Sequence, residues 1–188
     1  MEGRLPPHNL EAETATLGAI LLDSTVLSRV MGFLRPDDFY RQANGLVFES
    51  ILNLSDRGEP IDLITLTDDL QHNVLLERVG GAAYISTLTT VVPTSANVEY
   101  YARIVRETSI RRRLVRLAAE ITEQCYDETL PTRTVLEEAE RKIFELAENQ
   151  QTQSFQSAGE VVKRTIDAIE KAYHNQEDYT GIPVGFAS

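Results

Sequence analysis

Few side chains in this chain are placed to do chemistry, and each has a simpler use. Two adjacent carboxylate pairs, Asp37-Asp38 and Asp68-Asp69, offer acid–base groups. Neighbouring residues on a helix point in different directions, and Asp is common near helix starts, so capping or solvation is the expected role. The histidines His8, His72 and His174 fall in unrelated segments and Cys125 stands alone, which leaves no zinc spacing. No Gly-x-x-x-x-Gly-Lys-Ser/Thr string is present to cradle a phosphate, and no Gly-x-Gly-x-x-Gly. The densest charge cluster is Arg106, Arg111, Arg112, Arg113 and Arg116. Its chemistry is either phosphate contact or pairing with the acids Glu137, Glu138, Glu140, Glu145 and Glu148. The acidic surroundings favour pairing.

Those surroundings are pronounced. The 188 residues carry a net charge of −11, which disfavours a DNA-gripping domain. Residues 101–127, with six bases against four acids, are the one net-basic stretch. Hydrophobic residues make up 42% and aromatics 7% with no Trp, so a core of Leu, Ile, Val and Ala is expected. A single cysteine allows no internal disulfide and fits a reducing, cytoplasmic setting, with Cys125 expected as a small buried apolar residue. There is no run of apolar residues long enough for a membrane span and no signal-peptide pattern at the start.

The elements that hold these groups read as helices throughout. Asn9 is placed to cap a helix to about Leu22, and Ser24 or Thr25 to cap the next. A helix is expected near residues 44–55, another after Asp62, and a short one over about 82–91 behind Gly80-Gly81. Thr87 to Val92 is the best strand candidate and equally a helix end. From Asn97 to Asp127 there is neither Gly nor Pro, room for one long helix with Ile104, Ile110, Leu114, Leu117, Ile121 and Cys125 on its stripe. Thr108-Ser109 is a candidate break or bend in it. After Pro131, Thr134 and Glu137 have capping-box spacing before a second helix striped by Leu136, Ala139, Ile143 and Leu146. Two helices across so short a turn predict an antiparallel hairpin.

Residues 150–157 are polar and read as a flexible linker. Ser157 and Glu160 then open an amphipathic helix, 158–175, striped by Val162, Ile166, Ile169 and Tyr173. The expected fold is therefore all-α: a helical head (1–96), a hairpin (97–149), a linker and one isolated helix. The hairpin's apolar residues Leu114, Val115, Leu117, Ala118, Ile121, Leu136, Ile143, Leu146 and Phe144 exceed what two helices can cover. Leaving such side chains in water costs about 1.5–3 kcal/mol each relative to burial, so self-association through the hairpin is expected, in an isologous pairing.

Several segments also match one family in order. Pro6-Pro7-His8-Asn9-Leu10-Glu11-Ala12-Glu13 with Leu17-Gly18-Ala19-Ile20, then Asp38-Phe39-Tyr40, Asp56-Arg57-Gly58-Glu59-Pro60-Ile61-Asp62, Gly80-Gly81 with Tyr84-Ile85, and the string from Pro93 to Arg106 resemble the N-terminal domain of bacterial replicative DNA helicases of the DnaB family. Residues 176–188, with Thr180-Gly181-Ile182-Pro183-Val184-Gly185-Phe186, resemble the entry to that family's RecA-like motor domain, which is absent from these 188 residues. The resemblance implies the collar of a hexameric ring assembled as a trimer of dimers. It implies primase as a partner, with Glu11, Tyr84, Val115 and Ile121 as contact candidates, and a helicase loader as another. Val162, Ile166, Ile169 and Tyr173 would dock the linker helix on a neighbouring motor. ATP and Mg would belong to the motor, so this stretch is expected to hold no cofactor, to hydrolyse no ATP alone, and to touch single-stranded DNA weakly or not at all. The rival readings are a free-standing helical regulator or nucleic-acid-binding module using the Arg106–Arg116 cluster, and a helical-bundle enzyme with convergent carboxylates.

Overall fold

A computed structural model describes residues 5–92 and 94–151, the side chains up to Glu148. The expected linker and the helix over 158–175, with Val162, Ile166, Ile169 and Tyr173, lie outside the described residues, as do Pro93 and the string Thr180–Phe186. Backbone contacts divide the chain between Asn149 and Gln150. The fold is all-helical, with seven α-helices among the described residues: α1 (Leu10–Leu22), α2 (Gln42–Asp56), α3 (Leu63–His72), α4 (Leu76–Val79), α5 (Gly81–Val91), α6 (Val98–Tyr126) and α7 (Thr132–Gln151). Two short 3₁₀ segments, Ser24–Arg29 and Pro36–Asp38, join α1 to α2.

Helix α1 is the axis of the head. Asn9 caps it by accepting from the Ala12 amide at 2.9 Å. Its residues from Ala15 to Leu21 are buried on every side, as only a central helix can be. It packs against α5 and against the first half of α6. Gly18 makes the α5 contact possible: a Cβ there would sit 2.1 Å from the Leu88 carbonyl oxygen. Around it, Phe48 and Ile51 of α2, Leu66 and Leu70 of α3, and Ala102 and Val105 of α6 complete the core. At the α4–α5 corner Gly80 takes φ +107°, the left-handed conformation that ends α4 at no side-chain cost.

Several local expectations shift. Ser24 and Thr25 do not cap an α-helix; Asp23 caps a 3₁₀ segment, accepting from the Thr25 amide and hydroxyl. Of the two readings open for Thr87 to Val92, the helix end holds, since residues 87–91 finish α5. Helix α7 starts at Thr132, two residues ahead of the expected cap. Pro131 there accepts from the amides of Thr134 and Val135, and Glu137 pairs with Arg133 at 2.7 Å instead of closing a capping box. Thr108-Ser109 does not interrupt α6, which is one helix of 29 residues. Its first half lies in the head core and its second half leaves it. There α7 returns alongside: Gln124 donates to Glu138 at 2.7 Å and Lys142 pairs with Glu120 at 3.1 Å. These contacts set the two helices antiparallel.

Candidate functional site

Two features of the described residues stand out, an ionic joint where α6 leaves the head and an apolar face beyond it. The joint centres on the 3₁₀ turn Pro36–Asp38. Pro36 occupies the first position of that turn, where its fixed φ is suited and its missing N–H costs nothing. Asp38 is fully buried. Its Oδ2 accepts from the Arg35 amide at 2.9 Å. Its Oδ1 accepts from Arg106 at 2.7 Å, Ser109 at 2.8 Å and Arg113 at 3.0 Å. Arg112 donates to the carbonyls of Pro7 at 2.9 Å and Asp38 at 2.5 Å and lies over the Tyr40 ring. Burial draws the Arg112 pKa below the ordinary guanidinium value, against the pull of Glu13 and Asp38.

The pairing expected for the arginines is therefore corrected. Arg106, Arg112 and Arg113 meet the head, not the acids of α7. The reason is rotational: the head-proximal half of α6 turns this face inward. The acids of α7 find other donors, Glu145 and Glu138 taking Arg141 at 2.7 and 4.0 Å. Asp38 does serve as a cap, closing the box on the Arg35 amide, but it is buried and not solvated. Asp69, 8% exposed, is not solvated either; it is bound by Ser50 and by Arg57 at 2.7 Å. Arg111 and Arg116 remain exposed.

Beside the joint lies a second buried carboxylate that the sequence reading missed. Glu13 accepts from the amides of Tyr40 at 2.6 Å and Arg41 at 3.3 Å and from the Asn44 side chain at 2.8 Å. Tyr84 donates its hydroxyl to Asn44, and Arg41 lies 4.3 Å over the Tyr84 ring. Burial, first of all, raises the Tyr84 pKa. The available signal was position: Glu13 falls on the same helical face as Leu17 and Ile20, where an unpaired acid would not be tolerated.

The apolar face lies on the outer half of α6 and on α7. Leu117 is buried and Leu146 half-buried, lining a small cavity of about 230 Å³ between the helices with Arg113, Lys142 and Glu145. Leu114, Val115, Leu136, Ile143 and Phe144 are 47–62% exposed. Ala118 is exposed and Ile121 half-buried. Of the remaining contact candidates, Glu11 is exposed and Tyr84 half-buried. Cys125 is exposed, not the buried residue expected. A groove of about 690 Å³ between α2 and α6 is lined by Phe39, Leu46, Leu117, Glu49, Arg113 and Arg116, a mixture of signs that selects no ligand charge. Among the described residues no group of three or more His, Cys, Asp or Glu is placed to hold a metal ion. Nor is any helix there long and apolar enough to cross a membrane.

Comparison with known proteins decides the family. Residues 5–107 match the family model described as the DnaB-like helicase N-terminal domain. The chain belongs to this family. It is 45% identical over 186 residues to the replicative DNA helicase DnaC of Bacillus subtilis, covering 99% of the chain and 41% of that protein. It is 43% identical to the replicative DNA helicase DnaB of Geobacillus stearothermophilus, covering 97% and 40%. The chain thus spans about two-fifths of these curated relatives. The solved N-terminal domain of DnaB helicase from Mycobacterium tuberculosis superposes with TM-score 0.71 at 40% identity, over 75% of this chain and 99% of that one. The N-terminal domain of the Helicobacter pylori DnaB helicase, solved in a study that also describes its interactions with primase, matches with TM-score 0.53 at 28% identity, over 62% and 90%. Within the DnaB-like N-terminal domain, the family match stops inside α6, before the hairpin's exposed face.

Proposed function

We propose that these residues form the collar region of a hexameric, ATP-dependent replicative DNA helicase, where the head and hairpin serve assembly and primase binding. The apolar face of Leu114, Val115, Leu136, Ile143 and Phe144 carries this reading. It projects past the head with nothing among the described residues to cover it, and a second copy presenting the same face would shelter both. In this reading the head spans 1–96, the hairpin 97–149 and the linker 150–157. The helix over 158–175 docks on a neighbouring motor through Val162, Ile166, Ile169 and Tyr173. Glu11, Tyr84, Val115 and Ile121 form the primase contact, a helicase loader is a further partner, and ATP, Mg and single-stranded DNA belong to a motor domain that these residues do not include. The primase reading draws support from the primase interactions described for the Helicobacter pylori domain.

Sedimentation tests the assembly. The chain should form dimers or larger even-numbered species, and Ile121→Asp should weaken them by at least about tenfold, since a charge would enter an apolar contact. A monomer indifferent to Ile121→Asp would remove the proposal. The nucleic-acid-binding alternative loses ground because Arg106, Arg112 and Arg113 are held by the head. Salt-sensitive DNA binding abolished by replacing Arg111 and Arg116 would restore it.

A further inference from the structure

We propose that Asp38 is the positioning residue that fixes the direction in which the α6–α7 hairpin leaves the head, and thereby the geometry in which two copies pair. The second half rests on the self-association reading above. Asp38 sits at the exit point of the hairpin. Along α6, Val105 is a core residue and Ser109 is 1% exposed in a buried contact, whereas Leu114, Val115 and Arg116 are exposed. The donors to Asp38 Oδ1 are Arg106, Ser109 and Arg113, successive steps along one face of that same stretch. One oxygen thus holds two turns of the helix.

The carboxylate itself cannot swing. Its second oxygen is taken by the Arg35 amide and its carbonyl by Arg112, and Pro36 stiffens the turn that carries it. Apolar contacts between α1 and α6 hold the helix close but tolerate rotation and tilt. Charge-assisted hydrogen bonds from two guanidinium groups and a hydroxyl converging on one atom do not. Buried ion pairs add little net stability compared with apolar packing of equal volume, and their best-attested role is to specify one geometry. A site that places such a cluster at the exit of an arm is suited to aiming that arm.

The test uses the 188-residue chain with two spin labels, one on the exposed native Cys125 near the end of α6 and one on Gln71→Cys in α3. Labelled chains are diluted into excess unlabelled Cys125→Ser chains, so that only the distance within one chain is read. Asp38→Asn keeps the shape and an acceptor but removes the charge. It should broaden the head-to-hairpin distance distribution about twofold and weaken self-association on the order of tenfold, with helix content and amide-exchange protection of α1 unchanged. Arg113→Gln decides the matter should Asp38→Asn lose that protection. It removes the outermost donor and leaves the Arg106–Asp38 pair, and the same broadening is expected. A distribution as narrow as wild type in Arg113→Gln overturns the proposal. Broadening without weaker association overturns the pairing half. If Ile121→Asp also leaves association unchanged, the self-association reading has failed, and the distance measurement alone judges the aiming role.

Discussion

Buried acids organise this domain, and three of them behave differently. Glu13 joins α1 to the segment before α2 by accepting two amides and a side-chain amide. Glu13→Ala would strand those donors and should cost about 3–5 kcal/mol of unfolding free energy, measured by urea titration. Asp38 gathers α6. Asp69 ties α3 to α2 through Ser50 and Arg57. Burial draws the Asp69 pKa upward, but the hydrogen bonds from Ser50 and Arg57 draw it down further, and it settles below the ordinary value of 3.8. Its folded pKa is depressed, so its contribution is complete above 3.8 and is lost as pH falls below it. Asp69→Asn should therefore destabilise by about 1–3 kcal/mol at pH 7, with the gap to wild type narrowing in denaturation midpoints as pH is taken below 3.8. Glu13 was marked by its place on the face of Leu17 and Ile20, whereas neither Asp38 nor Asp69 was legible as buried. An Asp beside another Asp, ahead of aromatic residues, carries no mark of its distant donors. A hint did exist: Arg106, Ser109 and Arg113 recur at helical spacing, a polar stripe on a helix whose other stripe is apolar.

The helices themselves were largely readable, because α2, α3 and α5 each combine an apolar period with a local stop or start, and α1 has its Asn9 cap. Asn9, Asp62 and the Gly80-Gly81 pair act where their chemistry says they should. The errors cluster where tertiary contacts decide. Ser24 and Thr25 have cap chemistry, but Asp23 takes the role and a 3₁₀ turn fits the space behind α1. Thr108-Ser109 looks like a weak point, yet Ser109 donates to Asp38 and Thr108 to the Val105 carbonyl, so the helix runs on. The apolar face on the hairpin was legible from the helical spacing of its Leu, Ile and Val residues. Which of its members turn inward was not, since that depends on the register of α7 against α6. Close packing of α1 on α5 leaves no room for a side chain at Gly18. Gly18→Ala would drive a methyl group into the Leu88 backbone and should destabilise by about 2–4 kcal/mol, read as a lowered melting temperature with unchanged helix content. Phe144→Ser on the hairpin should leave the stability of an isolated chain within about 0.5 kcal/mol, since the side chain is largely in water.

At the scale of the whole molecule, copies with a net charge of −11 repel one another. If pairing is apolar, raising salt from low to moderate ionic strength should strengthen self-association by a few fold through screening, whereas phosphate binding by the arginines would weaken. Sedimentation in a salt series separates the two directions. Continuity of α6 carries a further consequence. Because one unbroken helix serves both the head and the arm, there is no break within α6 and its outer residues are locked in phase with the inner ones. Splicing one alanine into α6 between Arg116 and Leu117 would turn everything beyond it by about 100° and push it outward by about 1.5 Å, swinging Ile121 off its line. Splicing in seven would nearly restore the phase, to within about 20°, while lengthening the strut by about 10 Å. If copies pair through this arm as proposed, the assembly should tolerate insertions by their remainder against the helical repeat, not by their size.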